Sequence, residues 1–188
     1  MKSLSILIPI YNEEESLQAL FEELKSSFEN NQSIEIIFIN DGSSDMSQKV
    51  IENEIANHST WKLINLYRNY GKSVALQSGI DIASNELIAT LDGDLQDDPK
   101  ELISLVRELN EDDVIVGWKK DRLDPLEKKI ASKIFNFFIK LFSGLKIKDS
   151  NSGIKVLKKE VAKSLNLYGG RHRYIPLLAH QKGFNVKE

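Results

Sequence analysis

Cysteine is absent from this 188-residue chain, which excludes disulfides and thiolate metal ligands and suits a reducing compartment. Long apolar runs are missing too. No window reaches the roughly 18 apolar residues of a membrane span, and Met1-Lys-Ser leads straight into a strand-like run with no signal-peptide core. The chain as given is therefore expected to be soluble. Nor is there a surplus of basic residues. Lys and Arg number 25 against 28 Asp and Glu, a formal net charge of −3. That balance argues against a general nucleic-acid binder, and no nucleic-acid partner is expected. Repeats, low-complexity stretches and linkers are also lacking, and the length suits one domain with a sizeable core. What is present is ordinary for a globular protein, with 41% apolar and 28% charged residues.

Read in order, the apolar runs alternate with helical patterns. Leu4–Ile10 is nearly continuous in apolar residues, the mark of a strand buried on both faces of a parallel sheet. Tyr11-Asn12-Glu13 breaks it, and Asn12 is placed to cap a helix running to about Asn30, with Leu17, Leu20, Phe21, Leu24 and Phe28 at helical spacing. A second strand over 34–39 ends in Asn40-Asp41-Gly42-Ser43-Ser44-Asp45. A helix to about Asn57, a strand over 61–67 and a helix over 73–83 follow, the last after Arg68-Asn69-Tyr70-Gly71-Lys72. A fourth strand ends at Leu91, a helix runs from Pro99 to about Asn110, and residues 113–117 read as a fifth strand. The alternation predicts an open, mostly parallel α/β sheet with helices on both faces. In such sheets ligands bind beyond the carboxyl ends of the strands. Nearly all the unusual chemistry falls on that edge.

The densest part of it is LDGDLQDDP, residues 91–99. Asp92, Asp94, Asp97 and Asp98 repel one another unless a cation lies among them. Asp92 and Asp94, two apart across Gly93, can turn towards one hard cation, with Gln96 offering a further oxygen. Mg²⁺ or Mn²⁺ held by one or two carboxylates plus phosphate oxygens is the usual arrangement. A solvated acidic turn, with Asp98 as N-cap and Pro99 at the first helical position, explains the last two residues but not the first two.

After Gly117 the composition shifts. Residues 119–148 carry nine Lys or Arg and three acids, a local charge of +6. Residues 127–143, opening on Glu127 and closing on Ser143, read as a helix with a wide apolar arc centred on Ile130, Ile134, Phe137, Phe138 and Leu141. Lys129, Lys133 and Lys140 fall on its narrow polar side. Burial against the sheet and residence at a membrane surface beside anionic lipid both fit this pattern. The last residues, Phe184 to Glu188, look like the middle of a strand, so a truncated chain is expected.

Four motifs occur in one order: Ile8-Pro-Ile-Tyr-Asn-Glu, Ile39-Asn-Asp-Gly-Ser-Ser-Asp, Leu91-Asp-Gly-Asp-Leu-Gln-Asp-Asp-Pro and Asp149-Ser-Asn-Ser-Gly-Ile-Lys. Together they resemble the family 2 glycosyltransferases of GT-A (Rossmann-like) fold, most closely the dolichyl- or polyprenyl-phosphate sugar synthases, over essentially the whole chain. Gly170-Arg-His-Arg-Tyr-Ile-Pro and His180-Gln-Lys-Gly-Phe resemble a bacterial branch. The resemblance implies one GT-A domain, with residues 1–118 as the nucleotide-sugar-binding half and 119–188 as the acceptor side. Pro9, Tyr11 and Glu13 would border the base, with Asp41 holding base or ribose. Asp92 would contact nucleotide and metal, while Asp94 and Gln96 would ligate Mg²⁺ or Mn²⁺. Lys119 and Lys133 stand where the family often has arginine; lysine keeps the charge but loses the bidentate fork. Asn40 replaces a common aspartate. Asp94, Asp149 and Lys133 form the expected catalytic group, and Arg171, His172 and Arg173 the expected acceptor-binding group.

The implied reaction moves a sugar, with inversion, from a UDP- or GDP-linked donor to a lipid phosphate at the cytoplasmic membrane face, contacted through residues 127–143. A divalent ion would neutralise charge on the departing diphosphate, with Lys119, Lys133, Arg171 and Arg173 as candidates to share it. A lipid phosphate is already ionised near neutral pH, its second pKa being about 6, and needs no strong base. A sugar or protein hydroxyl needs one, and Asp149 or His172 is then the candidate. Asp149 reads equally as a turn residue, and His172 as structural or acceptor-orienting; His58 and His180 read as surface or packing residues. A catalytically silent nucleotide-sugar-binding module remains the alternative from another class.

Overall fold

The computed structural model describes residues 2–28, 31–118, 145, 147 and 152–188. The expected helix over 127–143 and the residues Lys119, Lys133 and Asp149 lie outside the described residues. In chain order the elements are β1 (Leu4–Ile10), α1 (Leu17–Phe28), β2 (Ile34–Asn40), α2 (Ser47–Ile55), β3 (Trp61–Asn65), α3 (Lys72–Ile82), β4 (Leu87–Thr90), α4 (Lys100–Glu108) and β5 (Val114–Val116). After residue 152 come β6 (Lys155–Lys158), α5 (Lys159–Ser164), a 3₁₀ turn (Arg171–Tyr174), α6 (Ile175–Gln181) and β7 (Val186–Lys187).

The described strands form one sheet in the order β3-β2-β1-β4-β6-β5-β7. β1 pairs in parallel with both β2 and β4, and β2 with β3, giving the expected parallel core. Side-chain alternation splits that core into two layers. Ile6, Ile8 and Ile10 of β1, with Ile36 and Phe38 of β2, pack against Leu17, Leu20, Phe21 and Leu24 of α1 and Leu102 of α4. Leu7, Ile37 and Ile39 face the other way, onto Ala75, Leu76 and Ile80 of α3 and Val161 and Ala162 of α5. Burial on both faces is why these strands read as unbroken apolar runs.

Three sequence expectations are corrected. First, β6 was not anticipated. It runs antiparallel between β4 and β5, in a register that sets Ile88 opposite Leu157 and Ile115 opposite Val156. Its sequence, KVLK, is short and ends in lysines, one of which, Lys158, reaches Asp113 at 2.8 Å. Second, Asn12 caps no helix. α1 starts at Leu17, and Asn12 takes a left-handed backbone (φ 55°), which asparagine tolerates better than most residues. Third, α4 begins at Lys100, one residue late, although the Asp98 carboxylate still accepts from the Lys100 N–H at 2.9 Å. Among the described residues no helix is long and apolar enough to cross a membrane.

Candidate active site

The loops leaving β1 and β2 interlock. Asn12 Oδ1 accepts the Ser44 N–H at 2.8 Å, and the Asn12 N–H donates to Ser43 Oγ at 3.0 Å. Glu14 accepts the Met46 N–H at 2.7 Å while its own N–H donates to Asp45 at 3.1 Å. Glu13 joins the same lacing, its N–H donating to Ser47 Oγ and its carboxylate accepting from Ser16 Oγ, both at 3.0 Å. The two motifs that flank the first helix-forming stretch are therefore one structural unit.

Asp41 extends that unit to the loop after β3. It is 3% exposed, and its two carboxylate oxygens accept the Tyr70 and Gly71 N–H groups, each at 2.8 Å. Gly42 makes the close approach possible: its φ is +70°, and a Cβ there would run into the Arg68 backbone. Asp41 thus shapes the turn that launches α3. Lys72, first residue of that helix, forms an ion pair with Asp92 beyond β4.

These elements enclose a cavity of about 280 Å³ lined by Pro9, Tyr11, Glu13, Asp41, Asn69, Gly71, Lys72, Asp92 and Asp94, among others. Every nucleotide-side residue expected from the sequence that is described lies on it. Gln96 does not; it is exposed, and its N–H donates to Asp94 Oδ1 at 3.1 Å. Lys72, Asn69 and Gly71 were given no role by sequence. The signal was available, because their loop leaves the carboxyl end of β3, on the edge where the other motifs gather.

A second cavity, of about 240 Å³, shares Lys72 and Asp92 with the first. Thr90, Ser152, Gly153, Lys155, His172 and Arg173 contribute to the rest of its wall. Lys155 is 5% exposed and its ammonium donates to the Ser152 carbonyl. Burial, and then the cationic Lys72, Arg173 and Lys155, hold the His172 imidazole down at about 4 against the opposing charge of Asp92. Arg171 lines neither cavity. It donates to the Asn166 carbonyl at 3.1 Å and stacks over the Tyr168 ring at 4.5 Å.

Whether the acidic loop suits a divalent cation is decided by its donors. Asp92 and Asp94 line one cavity, and Gly153 leaves room where a Cβ would press on the carboxylates of Asp97 and Asp92. Among the described residues no three acidic or imidazole side chains converge to cage an ion by themselves. Two carboxylates on an open cavity are the protein's share for a Mg²⁺- or Mn²⁺-type ion that takes its other oxygens from phosphate and water. The residues fit such a group.

The sheet order and the helices on both faces define an α/β fold, and solved structures narrow the class to the GT-A fold. A mannosyltransferase from Pyrobaculum calidifontis, solved with GDP-Man and Mn²⁺, superposes with a TM-score of 0.75, covering 99% of this chain and 54% of that one at 13% identity. TarS from S. aureus (residues 1–349), solved with UDP-GlcNAc, gives 0.73 over 99% and 55% at 18% identity. Such identities establish the fold alone.

The family model for glycosyl transferase family 2 matches residues 5–165, and the chain belongs to that family. It is 38% identical over 178 residues to a dodecaprenyl-phosphate galacturonate synthase of Rhizobium johnstonii, covering 92% of this chain and 53% of the relative. It is 35% identical over 185 residues to an undecaprenyl-phosphate 4-deoxy-4-formamido-L-arabinose transferase of Photorhabdus laumondii, covering 96% and 56%. The chain therefore spans about half the length of the curated relatives it matches.

Proposed function

We propose that this chain carries the catalytic part of a glycosyltransferase that moves a sugar, by a single inverting displacement, from a UDP- or GDP-linked donor to a polyprenyl phosphate. The observation that carries the reading is the convergence of Pro9, Tyr11, Glu13, Asp41, Asp92 and Asp94 on one cavity at the carboxyl edge of the sheet. The polyprenyl-phosphate names of the relatives support the acceptor class. Pro9, Tyr11 and Glu13 border the base. Asp41 acts by fixing the 70–71 turn against it. Asp92 and Asp94 hold a Mg²⁺ or Mn²⁺ ion, with Gln96 as a further oxygen donor from the rim. The bound metal supplies Lewis-acid stabilisation to the charge developing on the leaving diphosphate.

Residues 1–118 form the donor half in this reading and 119–188 the acceptor half. Lys119 and Lys133 bring further positive charge to the departing diphosphate, and Asp149 joins Asp94 and Lys133 in the catalytic group. Arg171, His172 and Arg173 belong to the acceptor side, with Arg171 acting from outside the two cavities. The enzyme works at the cytoplasmic face of a membrane, which residues 127–143 contact. Thermal-shift titration with UDP, GDP and their sugar derivatives, with and without Mn²⁺, tests the donor assignment. A ligand at a hundred times its dissociation constant stabilises the folded chain by about 2.7 kcal/mol. Metal-dependent stabilisation by one nucleotide class is expected. Indifference to every nucleotide at saturating Mn²⁺ would sink the reading.

A further inference from the structure

Asp92 and Asp94 line one cavity, two positions apart, yet they are partnered differently. Asp92 forms an ion pair with Lys72. Asp94 has no ion pair among the described residues and accepts the Gln96 N–H at 3.1 Å. The Lys72 ammonium therefore sits on one of the two carboxylates proposed to hold the divalent ion. A second cation at that carboxylate would lie beside the ammonium, in a part-buried setting where like charges repel strongly.

The Lys72 side chain can move while its backbone stays. Immediately before it, the Tyr70 and Gly71 N–H groups donate to Asp41, each at 2.8 Å. Immediately after it, the buried Ser73 hydroxyl accepts the His172 backbone N–H at 3.0 Å and lies 2.9 Å from His172 Nδ1. The main chain is thus pinned on both sides of a side chain that is 32% exposed. That side chain lines the donor cavity as well as the second one. Rotation about its flexible four-carbon stem can carry the ammonium off Asp92 towards an anion in the donor cavity with no change in α3.

We propose that Lys72 is a displaceable counter-ion, which occupies Asp92 until the donor's diphosphate draws the ammonium away, so that the divalent ion binds tightly only together with nucleotide. The inference rests on the nucleotide and metal reading of the first cavity and gives Lys72 a positioning role within it. The exchange keeps every charge partnered. The ammonium leaves a carboxylate for a phosphate oxygen, and the divalent ion takes the carboxylate it vacates. The two ligands are then coupled, and by reciprocity each raises the affinity for the other by the same factor.

Electron paramagnetic resonance of free Mn²⁺ tests this on the 188-residue chain, alone and with saturating UDP or, separately, GDP. In the wild type, one of the nucleotides is expected to tighten Mn²⁺ binding. In Lys72→Met, Mn²⁺ alone should bind about tenfold tighter than in wild type, the effect of removing one adjacent like charge. With nucleotide present its affinity should stay close to that of wild type, because there the ammonium has already left Asp92. The coupling between the two ligands therefore falls about tenfold. Lys72→Gln, polar and uncharged, should repeat the result and separate charge from packing. A lysine fixed on Asp92 behaves differently: its removal tightens Mn²⁺ equally with and without nucleotide and leaves the coupling at its wild-type value. That outcome, an unchanged Mn²⁺ affinity in the absence of nucleotide, or a wild type without coupling overturns the counter-ion role alone. A wild type that binds no Mn²⁺ with either nucleotide removes the donor-site reading as well.

Discussion

Glu35 and Asp92 are both acids paired to a lysine, at opposite ends of the same sheet, and they are built for opposite purposes. Glu35 sits at the amino-terminal edge with 6% of its surface exposed. It accepts from Ser5 Oγ, from Lys62, and from both the N–H and Oγ of Ser84, at 3.1 and 2.8 Å. Burial alone would raise its pKa, but the bonds from Lys62, Ser5 and Ser84 outweigh it and hold the carboxyl at about 2. Asp92, at the carboxyl edge, is part-exposed and faces two cavities, with Lys72 its partner. A saturated carboxylate fastens strands β1, β2 and β3 to the start of β4. An incompletely surrounded one keeps coordination capacity for a ligand. The number of donors around the acid, more than its charge, separates scaffold from site.

Asp41 is the sharpest challenge to that contrast, because it lies on the site edge yet is saturated like Glu35. Asp41→Ala is expected to cost about 2 kcal/mol of stability, since the part-buried N–H groups of Tyr70 and Gly71 lose a charged acceptor. Donor affinity should fall as well, with or without EDTA. Urea denaturation and calorimetry measure the two effects. A variant as stable as wild type would show that the 70–71 turn holds without it.

Asp94→Asn tests the open end of the comparison. Removing one formal charge from the cation's share should weaken Mn²⁺-dependent donor binding about a hundredfold, close to 2.7 kcal/mol, with little change in unfolding midpoint. Equal affinity in saturating Mn²⁺ would take Asp94 out of the metal's shell. Glu35→Gln should do the reverse. Stability drops by about 2 kcal/mol as charged hydrogen bonds become neutral ones, while donor affinity stays the same. Any loss of nucleotide binding in this variant would mean that the two edges are coupled.

The smallest effects are in the pH profile, and they separate the edges again. The Glu35 carboxyl is lowered, so its stabilisation is complete above its ordinary 4.5 and is lost as pH falls towards about 2. His172 is also lowered. Between its ordinary 6.5 and about 4 the unfolded chain takes up a proton that the folded chain refuses, so stability declines across that window on acidification. Glu35→Gln should flatten the lower limb of the stability curve, and His172→Gln the upper one. Circular-dichroism melts at stepped pH would show whether each substitution flattens its own limb and leaves the other.

Much of this architecture is legible in the sequence. β1, β2 and β4 announce themselves because strands buried on both faces must be apolar at every position. The gathering of Tyr11, Asp41 and Asp92 at one edge follows from parallel strands, whose carboxyl ends all point the same way. Local periodicity and chain direction determine that much. Other features depended on which distant segments meet. β6 is four residues framed by lysines, a strand only because β4 and β5 flank it. Lys72 meets Asp92 across 20 positions and Ser73 meets His172 across 99, contacts with no local pattern to betray them. Asn12 looked like a helix cap until the loop after β2 supplied its partners. The sequence by itself determined the strands, the helices and the edge that carries the chemistry, because those follow from spacing and burial along the chain. Only the tertiary structure decided which carboxylates are saturated and which stay open, because hydrogen-bond partners are shared between segments that sheet order, not sequence order, brings together.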